Sequence, residues 1–183
     1  MEKPDPLKAY KEKRNFGKTP EPAGGKSSGK PVFVVQKHAA SHLHYDFRIE
    51  ISGVLKSWAV PKGPSLNPKD KRLAVMTEDH PLDYANFEGV IPEGYGAGTV
   101  MIWDRGEFEC KDAESGLKEG RMSFTLHGRK LKGEWSLFQM KNRSEKNWLL
   151  SKKDDEFAGE KDILEEEPDS VVSGRSIEGL ANS

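Results

Sequence analysis

Residues 38–50 read HAASHLHYDFRIE and place three histidines, an aspartate and an arginine within eleven positions. Side chains on a strand alternate between faces, so His44, Asp46, Arg48 and Glu50 share one face and Tyr45, Phe47, Ile49 and Ile51 the other. The second set is apolar enough to be a core face. The first puts an imidazole, a carboxylate and a guanidinium in a row, with Cα steps of about 6.6–6.8 Å. Same-face neighbours at that spacing can converge on one ion, since His and Asp hold a divalent metal at about 2.0–2.2 Å. His38, upstream, is placed to swing in as a third ligand. Two nitrogens and one carboxylate leave coordination positions open, as a catalytic metal centre requires. An H-x-H pair alone fits surface histidines equally well; Asp46 in the same parity and His38 upstream weigh toward a ligand set. His42 has the parity of His44, and parity alone leaves its role open.

Arg48 continues the same face, where a guanidinium offers a bidentate fork to a phosphate whose other oxygen meets the ion. A second row is read in RLAVMTEDH, residues 72–80. There Arg72, Ala74, Met76 and Glu78 share a face, Leu73, Val75 and Thr77 share the other, and His80 follows at the strand's end. The residues thus offer His38, His44 and Asp46 for a metal, with Arg48, Arg72 and His80 for a phosphoryl group. His80 is the candidate acid–base group, because an imidazole titrates near neutrality with little tuning. Lys62, Lys69 and Lys71 flank the same region in a loop that reads equally well as solvated surface.

The elements that must position these groups read as strands. Val32–Lys37, Leu43–Ile51, Val54–Val60, Arg72–Glu78, Thr99–Trp103, Glu107–Lys111, Arg121–Leu126, Glu134–Met140 and Asn147–Lys152 are short runs rich in β-branched and aromatic residues, most bounded by Gly, Pro, Asp or Asn. Only residues 82–87 and the termini are open to helix. The expected fold is mainly β, a compact antiparallel barrel of about eight strands with short helical segments and a flexible N-terminal arm. Residues 1–31, rich in Pro, Gly, Ser and Lys, form that arm, with a short helix in LKAYKEKRNF carrying Leu7, Tyr10 and Arg14 on one side. Residues 32–158 form the barrel, and residues 159–183 read as an acidic tail or connector.

Composition narrows the classes further. Of 183 residues, 34% are hydrophobic and 32% charged, with 18 Gly and 11 Pro, which argues against a helix bundle. The single cysteine, Cys110, excludes an intrachain disulfide framework and a cysteine-based zinc cluster, and fits a reducing compartment. No run is apolar and long enough for a membrane helix, and the N-terminus has no signal-like stretch. The expectation is a cytoplasmic protein with no membrane contact. Lys and Arg are in excess over the first eighty residues and Asp and Glu over the remainder, so a polyanionic partner fits the first part.

QKHAASHLHYDFRIE, WAVPKGPSLNPKDKRLAVMTEDHPLDYANFEGVIPEGYGAGTVMIWDRG and NWLLSKKDDEFA closely resemble the 3′-phosphoesterase module of bacterial DNA ligase D and its free-standing relatives. The resemblance runs from about Tyr10 to Ala158. It implies a β-barrel with a crescent-shaped active site that trims the 3′ ends of DNA or RNA-tipped DNA in primer–template form. It implies Mn²⁺ as cofactor, with Co²⁺ or Zn²⁺ as substitutes. Carried over by motif, His38, His44 and Asp46 are the metal ligands, which leaves His42 outside the set. Arg48, His80 and Tyr84 fall on the phosphate-contacting and catalytic positions, Tyr84 as a hydrogen-bond donor to phosphate. Gln36 and Arg72 fall in the active-site surround, and Arg14 and Glu21 in the arm. Asn15 replaces the acid usual after that arginine, and Ser151 replaces a usual apolar residue. The implied partners are ligase and polymerase modules of end joining, with the chain itself a monomer; the last sixteen residues resemble the connector that follows the module in fused proteins. Two rival readings are a non-catalytic nucleic-acid-binding barrel stacking bases on Phe33, Tyr45, Trp58 and Trp103, and a cupin-like small-molecule metalloenzyme.

Overall fold

In a computed structural model, which describes residues 5–25, 29–141 and 144–182, strand-forming sequence condenses into one sheet that closes on itself. Among the described residues the strands are β1 (Val32–Ala39), β2 (Leu43–Ile51), β3 (Val54–Val60), β4 (Arg72–Met76), β5 (Gly89–Ile91), β6 (Gly98–Glu109), β7 (Arg121–Gly128), β8 (Lys132–Gln139) and β9 (Asn147–Lys152). They pair antiparallel in the order β1-β2-β3-β4-β9-β8-β7-β6, and β6 returns to β1, giving an eight-stranded barrel with the short β5 lying beside the start of β6. The β2–β3 hairpin is made by Ser52 and Gly53, with φ of 54° and 80°; a two-residue turn with both φ positive matches the twist of the strands it joins.

The alternation read in residues 43–51 sets the wall. Phe33, Val35, Tyr45, Phe47, Ile49, Ile51, Trp58 and Val60 point into the barrel with Trp103, Phe124, Trp135 and Trp148. Burying an aromatic or branched side chain contributes about 1.5–3 kcal/mol, so this interior fixes the register, because a one-residue slip would turn every strand inside out. The opposite parity of β1 and β2 faces outward, but not into solvent. It meets a second apolar layer built from Tyr10, Val34, Leu55, Leu82, Tyr84, Phe87, Ile91 and Ile102. Helix α1 (Lys8–Glu12) and the 3-10 turn Leu82–Asn86 supply much of that layer.

The structure differs from the sequence expectation at definite places. The two strands expected at 99–103 and 107–111 are one, β6. Asp104, a turn-forming residue type, is buried and accepts the backbone N–H groups of Arg129, Lys130 and Leu131. At Gly106 a Cβ would lie 2.0 Å from the His127 carbonyl oxygen, so a bare backbone lets β7 close in. Strand β5 and helix α2 (Ala113–Glu119) lie outside the expected elements; α2 buries none of its residues, so it lacks the apolar stripe that reveals a helix.

The acidic stretch from residue 159, expected as a tail or connector, lies against the barrel through residue 182. Helices α3 (Ile163–Glu166) and α4 (Ile177–Ala181) insert Ile163, Ile177 and Leu180 into the core. Trp103 Nε1–H and Lys130 donate to the Glu167 carbonyl, and Ser170 donates to Glu88. The flexible arm expected over residues 1–31 falls partly outside the described residues, at 1–4 and 26–28. Among the described residues no helix is long and apolar enough to cross a membrane.

Candidate metal and phosphate site

The β1–β2 register sets His38 opposite His44 and Gln36 opposite Asp46 on the covered outer wall. One ligand atom each from His38, His44 and Asp46 lies within 4.8 Å of the others. The tautomers follow from the backbone. His38 Nε2 is 2.7 Å from the Gly96 carbonyl and His44 Nδ1 is 3.2 Å from the His42 carbonyl. A carbonyl only accepts, so those nitrogens carry the hydrogens. The other two, His38 Nδ1 and His44 Nε2, face Asp46 Oδ2 at 3.4 and 3.1 Å. Three lone-pair donors thus converge on one point, each imidazole oriented from behind by a carbonyl, which is how metal-ligating histidines are held. The donor set fits a divalent first-row ion. His42 is exposed in the β1–β2 turn and contributes its carbonyl, not its ring.

The electrostatics match. Burial alone would raise the Asp46 carboxyl, but the charge of Arg48, and the hydrogen bonds that His38 and His44 donate when, without an ion, their facing nitrogens are protonated, outweigh it and hold it far below the usual carboxylate range. Burial would lower the His44 imidazole, yet its hydrogen bond to Asp46 and that carboxylate's charge raise it.

Arg48 is 4% exposed. Its Nε donates to Gln36 Oε1 at 2.7 Å, Nη1 to His80 Nδ1 at 3.1 Å, and Nη2 lies 3.4 Å from Asp46 Oδ2. Its guanidinium also sits over the Tyr84 ring at 4.9 Å. A guanidinium has five N–H donors, so these three contacts leave one on each terminal nitrogen, the pair a phosphate takes. Gln36 is fully buried and spends its amide hydrogens on the Tyr84 and Phe87 carbonyls. It holds Arg48 from behind and does not line the cavity.

His80 and Tyr84 come from the covering layer. Burial, then the charges of Arg48 and Arg14, push His80 well below the usual imidazole value. The expectation of an imidazole needing little tuning is thus corrected: two cations beside a buried ring keep it neutral. His80 Nδ1 lies between Arg48 Nη1 at 3.1 Å, which can only donate, and the Glu78 carbonyl at 2.9 Å, which can only accept, so either ring nitrogen can carry the hydrogen. The Tyr84 hydroxyl, expected to face phosphate, donates to Glu21 Oε2 at 2.7 Å instead. Arg14 Nε meets the same oxygen at 2.9 Å, and Thr19 binds the other carboxylate oxygen. Arm and covering turn are joined through this buried carboxylate.

Arg14, Glu21, His38, His44, Asp46, Arg48, His80 and Tyr84 line one cavity of about 270 Å³. Arg72 is elsewhere, beside Asp70 at 3.8 Å in a groove with Lys62, Lys69 and Lys71. Its row is the inner face of β4: Ala74 is fully buried in the barrel core and Met76 packs against it. Missed by sequence reasoning were Glu78, which binds Arg14 and Lys13, and Tyr95 with Gly96, which border the cavity. The glycine-rich PEGYGAG run was the available signal for the latter pair. The proposed stacking platforms Phe33, Tyr45, Trp58 and Trp103 are all core residues, at most 6% exposed, which removes their role in the non-catalytic rival.

A closed antiparallel barrel that gathers three potential metal ligands and a guanidinium with two uncommitted hydrogens in one cavity has the make-up of a metal-dependent hydrolase. The family described as the DNA ligase D 3′-phosphoesterase domain matches residues 36–139, and the chain belongs to it. It is 53% identical over 182 residues, 94% of its length, to the "Multifunctional non-homologous end joining protein LigD" of Pseudomonas aeruginosa. It is 45% identical over 142 residues, 74% of its length, to the "Multifunctional non-homologous end joining DNA repair protein LigD" of Mycobacterium tuberculosis. The Mycolicibacterium smegmatis LigD is 42% identical over 163 residues, 83% of the chain. The chain spans about a fifth of the length of these curated relatives, 22%, 18% and 21% respectively.

Proposed function

We propose that the chain heals 3′ ends of DNA in non-homologous end joining, removing terminal 3′-phosphates and 3′-terminal ribonucleosides to leave 3′-hydroxyls. The observation that carries this is the shared oxygen: Asp46 Oδ2 faces both imidazoles and lies 3.4 Å from Arg48, so an ion held by these ligands would have the guanidinium as its neighbour, as one phosphate needs them.

His38 Nδ1, His44 Nε2 and Asp46 would hold the metal, Mn²⁺ with Co²⁺ or Zn²⁺ as substitutes. Bound there, it supplies a Lewis acid for a phosphate oxygen. Arg48 gives its two remaining N–H groups to equatorial oxygens, whose charge grows as water attacks phosphorus and the bond to the 3′-oxygen breaks. His80, neutral at rest, takes the proton of the attacking water and returns it to the departing 3′-oxygen, so the ring ends the step as it began. Tyr84 keeps Arg48 in place through its ring and binds the arm through its hydroxyl. Arg14 and Glu21 lock the arm over the cavity. The substrates we propose are primer–template 3′ ends of DNA or RNA-tipped DNA, and the partners are ligase and polymerase modules of the same repair system.

A labelled primer–template ending in a 3′-phosphate, incubated with protein and Mn²⁺, is expected to yield a 3′-hydroxyl product. A second primer ending in one ribonucleotide is expected to be shortened. Failure of folded protein on both primers with Mn²⁺, Co²⁺ and Zn²⁺ in turn would overturn the proposal.

A further inference from the structure

A second cavity of about 340 Å³ opens beside the first and shares Arg14, Glu21 and Tyr95 with it. Lys13 and Lys18 also line it. Tyr95 is the wall between the two, and at 50% exposure it is among the most exposed large side chains of the described residues. Its position is not free. Gly94 and Gly96 on either side have φ of 89° and 76°, and the Gly96 carbonyl is tied to His38 Nε2, so the ring is held at a set distance from the metal group. Lys13 Nζ stands 4.6 Å from the ring centroid and the Arg14 guanidinium 5.4 Å.

The carboxylates nearby do not cancel these cations equally. Glu21 and Glu78 are buried and committed to Arg14 and Lys13. Glu93 meets Lys18 only at 3.8 Å, with both side chains about two-thirds exposed, an arrangement that contributes little and exchanges readily for another anion. A half-exposed aromatic ring with an exchangeable lysine, Lys18, in the same cavity is the kind of surface that binds single-stranded nucleic acid, base on ring and backbone on cation.

Resting on the end-healing reading above, we infer that this second cavity receives the terminal nucleoside of the trimmed strand. Tyr95 stacks against its base, and Lys18, with Lys13 behind it, takes the next phosphodiester on the 5′ side. A 3′ end has only one direction in which to continue, and this cavity is the one that continues from the phosphate site. Base stacking of this kind is sequence-tolerant, so the site accepts any terminal base and selects for the presence of one.

The test uses primer–templates with a 3′-phosphate on either an ordinary terminal nucleotide or an abasic one, assayed with wild type, Tyr95→Ala, Tyr95→Phe and Lys18→Gln. Removal of the terminal base is expected to raise the wild-type KM roughly 10-fold, a typical stacking contribution. Tyr95→Ala is expected to do the same on the ordinary primer and nothing further on the abasic one, while Tyr95→Phe stays near wild type. Lys18→Gln is expected to flatten the salt dependence of KM. Wild-type turnover with equal KM for both primers, or equal losses for Tyr95→Ala on both, would overturn the subsite and leave the phosphatase reading standing. No turnover of either primer by wild type would overturn both.

Discussion

Replacing Arg48 with lysine keeps the charge and removes the fork. In the structure the guanidinium gives one hydrogen each toward Gln36 Oε1, His80 Nδ1 and Asp46 Oδ2 at 2.7, 3.1 and 3.4 Å. A lysine ammonium concentrates its donors at one point and reaches one of those three acceptors from the same backbone position. With the ammonium at Asp46 and His80 Nδ1 free to donate to the Glu78 carbonyl at 2.9 Å, one buried acceptor, Gln36 Oε1, is left unmet. Gln36 is fully buried, so this orphan costs about 1–3 kcal/mol of folding stability. The two hydrogens left for phosphate are lost as a pair, and removing one such preorganised donor typically lowers turnover about 10²–10³-fold. Phosphate release from a 3′-phosphate primer–template at saturating Mn²⁺ measures the rate, urea unfolding measures the stability, and elemental analysis measures the bound metal. We expect both losses with metal stoichiometry unchanged, because no ligand atom is touched. A lysine variant within about tenfold of wild-type turnover would show that charge alone suffices, and a loss of metal would show that Arg48 serves the ligand group instead.

His44→Ala removes one of three donors and is expected to abolish trimming while thermal unfolding stays cooperative, because the ring lies on the outer wall and not in the core; activity retained at saturating Mn²⁺ would remove His44 from the ligands. His80 makes the metal-free protein sensitive to acid. Its folded pKa is depressed, so the unfolded chain binds more protons below about pH 6.5 and stability falls there by at most about 1.4 kcal/mol per pH unit. His44, whose pKa is raised, acts oppositely, adding stability that is complete below about pH 6.5 and lost as pH rises through its folded value. Urea midpoints between about pH 5 and 6.5 should therefore rise with pH in wild type and flatten in His80→Asn; equal slopes would refute the assignment. Leu180→Ala should cost about 2–5 kcal/mol, read as a lowered melting temperature, whereas a solvated tail would register less than about 0.5 kcal/mol.

The barrel was legible where burial on one side only leaves a period of two. Tyr45, Phe47, Ile49 and Ile51 alternate with polar residues, and the structure seats all four in the core. It was illegible where the same residue types do other work. Asp104 and Gly106 look like a turn, yet one caps three N–H groups and the other admits a neighbouring strand. In the C-terminal stretch, Ile177 and Leu180 form a single i,i+3 pair on α4 and Ile163 stands alone on α3, too few apolar positions to make a recognisable pattern. Nothing local in such a sequence distinguishes three anchors from three stray apolar residues in an acidic tail.

The site divides along the same physical line. Its ligands and guanidinium sit on two paired strands, where parity within β2 and the short connection to β1 are enough to put His38, His44, Asp46 and Arg48 on one face. What parity cannot show is that this outward face is itself covered. A strand with one apolar side reads as facing solvent on the other, and a solvated His, Asp and Arg would hold ordinary protonation states. Tyr10, Tyr84 and Arg14 come from segments far away in sequence, and their cover withdraws water from the wall. That withdrawal pushes His80 well below its usual value, while Asp46 is held low against it by Arg48 and the two histidines, and it turns Glu21 from an arm residue into the buried joint between Arg14 and Tyr84. Arg72 fails for the converse reason: its row reads as polar at Arg72 and Glu78, but Ala74 and Met76 between them go to the barrel core, and the cation is carried to a different groove. The chemistry of this site is therefore written on two strands, while its strength comes from the arm and turn folded over them.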